Sequence, residues 1–210
     1  MIRVHHLENS RSQRIVWLLE ELGLEYEVVN YARDPQTKLA PPELKQVHPL
    51  GKSPVVEFES YKIAESGAAV ELLVDEYGHG RLAPERSSAA WPAYIEWLHY
   101  AEGSGMLPFM LGMYASRLGE AAAPIMPRIQ TEIRNQLDYI AGALGDRQFL
   151  IGDELTGADV QVFFILEVAN LPGALAAYPT LAAYRERLES RPAYRRALER
   201  GGPFDLAKLR

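Results

Sequence analysis

The apolar positions of this chain keep two different rhythms, one before residue 80 and one after it. In the first stretch, short β-type runs alternate with helical stripes. Ile2–Leu7 reads as a strand. Ile15, Leu18, Leu19 and Leu22 then recur at three- and four-residue spacing, the signature of one buried helix face, and Gly23 stands where a C-cap belongs. Tyr26–Tyr31 reads as a second strand, so the chain opens β-α-β and its first two strands are expected to run parallel. A polar, proline-containing connection follows from Arg33 to Pro49. Val55–Glu59 and Tyr61–Ala64 flank Ser60 as a hairpin, and Val70, Leu73, Val74 and Tyr77 line the next helix. The order β-α-β, connection, β-β-α predicts a mixed four-stranded sheet covered by helices.

Gly78–Pro84 has the composition of a linker. Beyond it the period is helical throughout. Trp91, Ile95, Leu98 and Ala101 begin a long helix that Gly103, Gly105 and Pro108 should perturb. Ile125, Ile129, Ile133, Leu137, Ile140 and Leu144 mark a second, Leu181, Tyr184 and Leu188 a third, and Pro192 opens a short last one. Thr156 and Asp159 form a short capping box, the hydroxyl taking a backbone N–H and the carboxylate returning the bond. The helix they open carries Val160, Val162, Phe163, Phe164 and Ile165 and is apolar nearly all round, which places it at the centre of its domain. The pattern therefore divides the chain into an α/β domain over residues 1–80 and an all-α domain over residues 86–210.

Composition narrows the function classes. With 210 residues, 48% of them hydrophobic, the chain can bury a core without covalent staples. A net charge of −6 gives no basic footprint for nucleic acid or for an anionic membrane surface. There is no Cys, which removes disulfides, zinc–thiolate sites and any protein-borne cysteine nucleophile. No uncharged apolar run reaches spanning length, Glu167 interrupting the best candidate, and Met1–His6 lacks a signal-peptide core, so a cytoplasmic location is expected.

Three short segments carry candidate chemistry. Ser53-Pro54 enters the third strand. A cis bond there would turn the Ser53 main chain outward as an edge for an extended peptide, and a trans bond would be an ordinary strand entry. Glu65-Ser66 opens the third helix, whose first-turn amides and dipole attract a carboxylate; Ser66 can donate to the same ligand or simply cap the helix, and Glu65 can accept from an α-amino group. Asn9-Ser10-Arg11-Ser12 links the first strand to the first helix, where a hydroxyl or amide can donate to a thiolate, and Ser10 or Ser12 is expected to begin that helix. Other constellations fail: His5 and His6 fall on opposite strand faces, His99 lacks a second ligand at helical spacing, there is no Gly-x-Ser-x-Gly elbow, and Gly51-Lys52-Ser53 lacks the first glycine of a phosphate loop. No metal site is expected.

Together these segments resemble the cytosolic glutathione transferases. Leu7–Glu21 is similar to the first helix of their bacterial and fungal branch, while Leu39–Leu44 and His48–Pro54 are similar to their glutathione-contacting loops, and Thr156–Asp159 matches the cap of their buried helix. The resemblance covers nearly the whole chain. It implies a thioredoxin-like glutathione-binding domain followed by a helical bundle that supplies the pocket for a second substrate. It further implies that Ser53, with Pro54, pairs through its backbone with the cysteinyl unit of glutathione, that Glu65 and Ser66 hold the γ-glutamyl end, and that Lys38 or Lys52 faces the glycine carboxylate. The residue facing the sulfur is Ser10 on this reading, with Asn9 close behind and Arg11 supporting; counting back from Arg14 as in the serine-type classes lands on Asn9, and Ser12 is the other nearby hydroxyl. Glutathione would be a co-substrate, with no cofactor.

The function so implied is transfer of the glutathione thiolate to small hydrophobic electrophiles, in a detoxifying homodimer. Met106, Phe109, Met110, Met113 and Tyr114 crowd the segment expected to line the electrophile pocket, although such a stripe is also ordinary helix-packing core. Two other readings share the residues: a glutathione-dependent peroxidase or disulfide reductase, and a non-catalytic binding module on the same fold.

Overall fold

The computed structural model describes residues 1–171 and 173–209. Two compact units divide the chain, Met1–Ala83 together with Arg187–Arg210, and Pro84–Glu186.

In the first unit, β1 (Ile2–Leu7), α1 (Gln13–Leu22) and β2 (Tyr26–Tyr31) form the expected β-α-β start, and after the short helix α2 (Leu44–Val47) come β3 (Val55–Phe58), β4 (Tyr61–Ile63) and α3 (Ser66–Tyr77). The sheet order is β2-β1-β3-β4. β1 runs parallel to β2 from Ile2↔Tyr26 to Leu7↔Tyr31, and antiparallel to β3 from Arg3↔Glu57 to His5↔Val55. A mixed sheet follows, as the sequence pattern requires. β1 lies between two strands and is buried on nearly every residue, the expected condition of a central strand covered on both faces. Gly23 ends α1 in the left-handed conformation and returns its N–H to Leu19. The connection from Arg33 to Pro49, polar and without a period in the sequence, contains α2, anchored by the fully buried Leu44.

The last helix, α9 (Pro192–Gly201), which the sequence pattern assigns to the all-α domain 86–210, packs in this division with the first unit, lying along α1. The Trp17 and Tyr194 rings meet nearly at right angles, 5.3 Å between centroids. Arg191 grips Glu21 through two bonds of 2.6 and 2.9 Å, and Arg196 bonds Glu20 at 2.7 Å. Two-point geometry against a nearly buried carboxylate is what makes the Arg191–Glu21 pair worth more than an ordinary surface bridge.

The second unit is helical. α4 (Trp91–Tyr100) passes through a π-helical turn at Ala101–Gly105 into α5 (Leu107–Ser116), the perturbation expected from Gly103, Gly105 and Pro108. α6 (Met126–Leu144), α7 (Gly157–Asn170) and α8 (Pro179–Glu189) follow, and among the described residues no strand occurs after β4. α7 is the buried helix, with Ala158 to Leu166 all buried. Its capping box is formed: Thr156 bonds Asp159 through both its N–H, at 2.7 Å, and its hydroxyl, at 2.9 Å. No described helix is long and apolar enough to cross a membrane.

Candidate functional site

The first unit gathers its polar residues around the carboxyl end of β1. Antiparallel pairing with β3 brings Ser53 opposite that end, and the Ser53–Pro54 bond is cis. The Ser53 hydroxyl donates to the His5 carbonyl at 2.8 Å and accepts the Leu7 N–H at 3.0 Å, so a side chain replaces the next rung of the ladder. Its main chain, and not its hydroxyl, is therefore the part available to an added strand.

Past Leu7 the chain turns through Asn9, whose φ of 51° lies in the left-handed region that asparagine tolerates better than most residues. Arg33 fixes this turn. Its guanidinium donates to the carbonyls of Glu8 at 3.0 Å, Asn9 at 3.2 Å and Lys38 at 2.9 Å, tying the loop after β1 to the loop after β2. Burial pulls the Arg33 pKa below its usual range, against the attraction of Glu8. The Asn9 side chain is also engaged, its Oδ1 accepting the Asp205 N–H at 2.6 Å from the tail beyond α9.

Ser12 begins α1 as expected, and the Ser10 hydroxyl accepts the Ser12 N–H at 3.3 Å. Ser12 stands at the N-cap but is already helical in conformation, and its hydroxyl makes no capping bond. It points instead to His6 Nδ1 at 2.9 Å and to Ser10 Oγ at 2.8 Å. Ser12 is fully buried, which leaves Ser10 and Asn9, each slightly exposed, as the loop's candidates for contact with a ligand. Burial pushes the His6 imidazole from its ordinary value of 6.5 down to about 4, so the ring is neutral at neutral pH.

At α3 the capping reading of Ser66 is corrected. Glu65 holds the N-cap position in extended conformation without a side-chain capping bond, and Ser66 is the first helical residue. The Ser66 hydroxyl accepts from Arg14 Nη1 at 3.2 Å. Arg14 is a buried cation on the first turn of α1, a site residue that the local motifs do not single out. A charged residue one turn before Leu18 on an apolar stripe is the signal the sequence does carry for it. Arg14 and Ser66 so join the first turns of the two helices, while Glu65 extends into solvent beside the first-turn amides of α3.

Of the two lysines, Lys38 is half-buried with a φ of 59° and Lys52 is exposed. Lys52 follows Gly51, where a φ of 58° and the Lys45 side chain, 2.8 Å from the position a Cβ would take, favour glycine. In the second unit the five residues expected in a pocket divide. Met106 and Phe109 are buried in the helical core, Met110 is half-buried, and Met113 and Tyr114 are exposed. Among the described residues no group of His, Asp and Glu is placed to hold a metal.

Comparison with known proteins gives the family and the fold. Residues 1–75 match the family model of the glutathione S-transferase N-terminal domain, and residues 88–192 that of the C-terminal domain. Glutathione S-transferase 1 of Saccharomyces cerevisiae is 30% identical, the match covering 95% of each chain. A solved glutathione S-transferase from Actinobacillus pleuropneumoniae superposes with a TM-score of 0.89 at 34% identity, over 99% of this chain and 96% of that one. A glutathione transferase family member from Pseudomonas fluorescens, solved with two glutathione molecules bound, gives a TM-score of 0.80 at 26% identity, over 94% and 92%.

Proposed function

We propose that this chain, which belongs to the glutathione S-transferase family, joins the sulfur of glutathione to small hydrophobic electrophiles. The observation that carries the reading is the gathering of Ser53, Ser10 and the Arg14–Ser66 pair around the end of β1 and the first turn of α1. Ser53, beside the cis bond to Pro54, offers its main chain to the cysteinyl unit. Glu65 and Ser66, with the amides of α3, take the γ-glutamyl end, where a carboxylate meets the positive end of the helix and an amine meets Glu65. Lys38 or Lys52 attracts the glycine carboxylate. Ser10 faces the sulfur, with Asn9 and Arg11 beside it. The glutathione held by the similar Pseudomonas protein supports the choice of ligand.

In the reaction the thiol gives its proton to water and the sulfur attacks the electrophilic carbon; with a chlorinated nitrobenzene, the C–S bond forms as chloride leaves. The thiol belongs to the substrate, which suits a chain without Cys. In the helical unit, Met110, Met113 and Tyr114 offer adaptable apolar surface to the second substrate. The same reading includes a cytoplasmic homodimer with a detoxifying role.

Retention on immobilised glutathione, followed by turnover of a chlorinated nitrobenzene, is the direct test. Passage through the column unretained would favour a binding module of another kind, and turnover of a hydroperoxide instead of the aryl chloride would favour the peroxidase. Ser66→Ala tests the γ-glutamyl site. Ser66 is not the cap of α3, but alanine takes one acceptor from the buried Arg14, so unfolding free energy should fall by about 1–2 kcal/mol and glutathione affinity by more, about a hundredfold or beyond. Equal losses in calorimetric binding and in denaturant unfolding would make Ser66 purely structural.

A further inference from the structure

We infer that Ser12 and His6 are positioning residues that hold the Ser10 hydroxyl proton pointed into the protein, so that Ser10 meets the substrate sulfur as an acceptor and must turn its proton outward to stabilise a thiolate. The inference rests on the reading above in which Ser10 faces the sulfur, and it adds the direction of the hydrogen bonds behind it.

The direction follows from the far end of the chain of contacts. One ring nitrogen of His6 bonds the backbone of Gly201, at the end of α9. That bond raises the imidazole pKa, as only an accepting carbonyl does, and with Ser12 at Nδ1 the nitrogen it takes is Nε2, which therefore carries the ring proton. That edge of the ring lies against Gly201: a Cβ there would lie 3.2 Å from Nε2, 3.1 Å from Cε1 and 3.1 Å from Gln13 Oε1. A neutral ring with its proton on Nε2 leaves Nδ1 bare, and Ser12 Oγ lies 2.9 Å from it. Ser12 has one proton to give. The other acceptor in reach, the Leu7 carbonyl, is farther, at 3.3 Å. With that proton given to Nδ1, Ser12 Oγ can only accept across its 2.8 Å contact with Ser10, so Ser10 is the donor. The Ser12 N–H, at 3.3 Å, supplies a proton to Ser10 Oγ and holds the oxygen in place whichever way its own proton turns. Glu8 is the charged side chain whose field reaches His6, and Arg11 adjoins Ser10 in the chain.

A thiol can donate to Ser10 Oγ as it stands. A thiolate cannot be served until the Ser10 O–H rotates away from Ser12, which breaks one buried hydrogen bond. Ser12 and His6 therefore restrain ionisation of the bound thiol, and removal of the Ser12 oxygen relieves the restraint.

The test is the pKa of glutathione bound to the full-length protein, read from thiolate ultraviolet absorbance. Ser12→Ala should lower it by about half a unit to one unit, the equivalent of one hydrogen bond, with little change in glutathione affinity. Ser10→Ala should raise it. A purely structural Ser12 would change stability or affinity without lowering the thiol pKa. If Ser10→Ala raises the value while Ser12→Ala leaves it unmoved or raises it, the inference falls and Ser10 keeps its place. If Ser10→Ala has no effect, the sulfur faces another residue and both fall. The nitrogen-15 spectrum of the wild-type protein gives a second readout that needs no variant: His6 should be neutral with its proton on Nε2 at pH 7, and a proton on Nδ1 overturns the inference.

Discussion

Replacing Asp159 by alanine should lower the unfolding free energy by about 4 kcal/mol, a large part of the roughly 5–15 kcal/mol that holds an average domain together. Asp159 is completely buried, and four donors converge on its two oxygens. The Leu150 N–H reaches Oδ1 at 2.9 Å, Thr156 supplies its N–H and hydroxyl to Oδ2, and the Tyr184 hydroxyl donates to Oδ1. One side chain thus ties the start of α7 to the segment before it and to α8, three pieces of chain that share no backbone ladder. Burial pushes its carboxyl above the usual range, which marks how much the site relies on those donors to hold a charge. Alanine removes every acceptor and leaves the donors buried, each costing about 1–3 kcal/mol if water cannot reach it. Asparagine keeps one acceptor oxygen and should lose about half as much. Denaturant midpoints for the two variants, read by circular dichroism, decide the matter: a loss under about 1 kcal/mol for alanine would mean that the network is replaceable by water.

The start of this network is legible in the amino-acid sequence, because a capping box is local: Thr156 and Asp159 are three residues apart and announce a helix start whatever surrounds them. The strands and long helices are legible for a similar reason, since their periods repeat over enough residues to exceed chance. α2 is not, because a single helical turn with one core residue, Leu44, has no period to show. The candidate site divides along the same line. Ser53-Pro54 and Glu65-Ser66 are local pairs with a known chemistry and stand out. Arg14, His6 and Asn9 take their meaning from partners far along the chain, namely Ser66, Gly201 and Asp205. His6 shows the difference well. Alternation in β1 turns it to the opposite strand face from His5, yet says nothing of the helix end waiting across the fold. Polar residues on apolar faces are the visible trace, and what each one bonds is a tertiary fact.

His6 also makes the protein sensitive to acid. Its ring is pushed from 6.5 to about 4, chiefly by burial, while the Gly201 carbonyl and Glu8 pull weakly the other way. Above pH 6.5 the folded and unfolded chains both hold a neutral ring, and the stabilising contribution is whole. As pH falls from 6.5 towards 4, the unfolded chain takes up a proton that the folded protein refuses, so stability drains by about 1.4 kcal/mol per pH unit and roughly 3 kcal/mol in all. His5 moves in the same direction, since its burial outweighs the pull of Glu57. Carboxylates held low by their partners, such as Glu57 beside Lys62 and Asp34 in its turn, add their losses only at more acid pH. Asp159, its carboxyl raised by burial, works in the opposite sense and gains stability as pH falls, so the losses in the upper part of the window belong to the histidines. Unfolding free energies measured from pH 7 to 4.5 should fall steeply in the wild type and flatten in His6→Phe. Because that variant also removes the bond to Gly201, the imidazole itself supplies an independent measurement: its nuclear magnetic resonance signals should stay constant in the folded protein down to about pH 5. A ring that titrates near 6.5, or a stability curve flat across the window, would mean that water reaches His6 and that the contact with α9 is looser than the geometry requires.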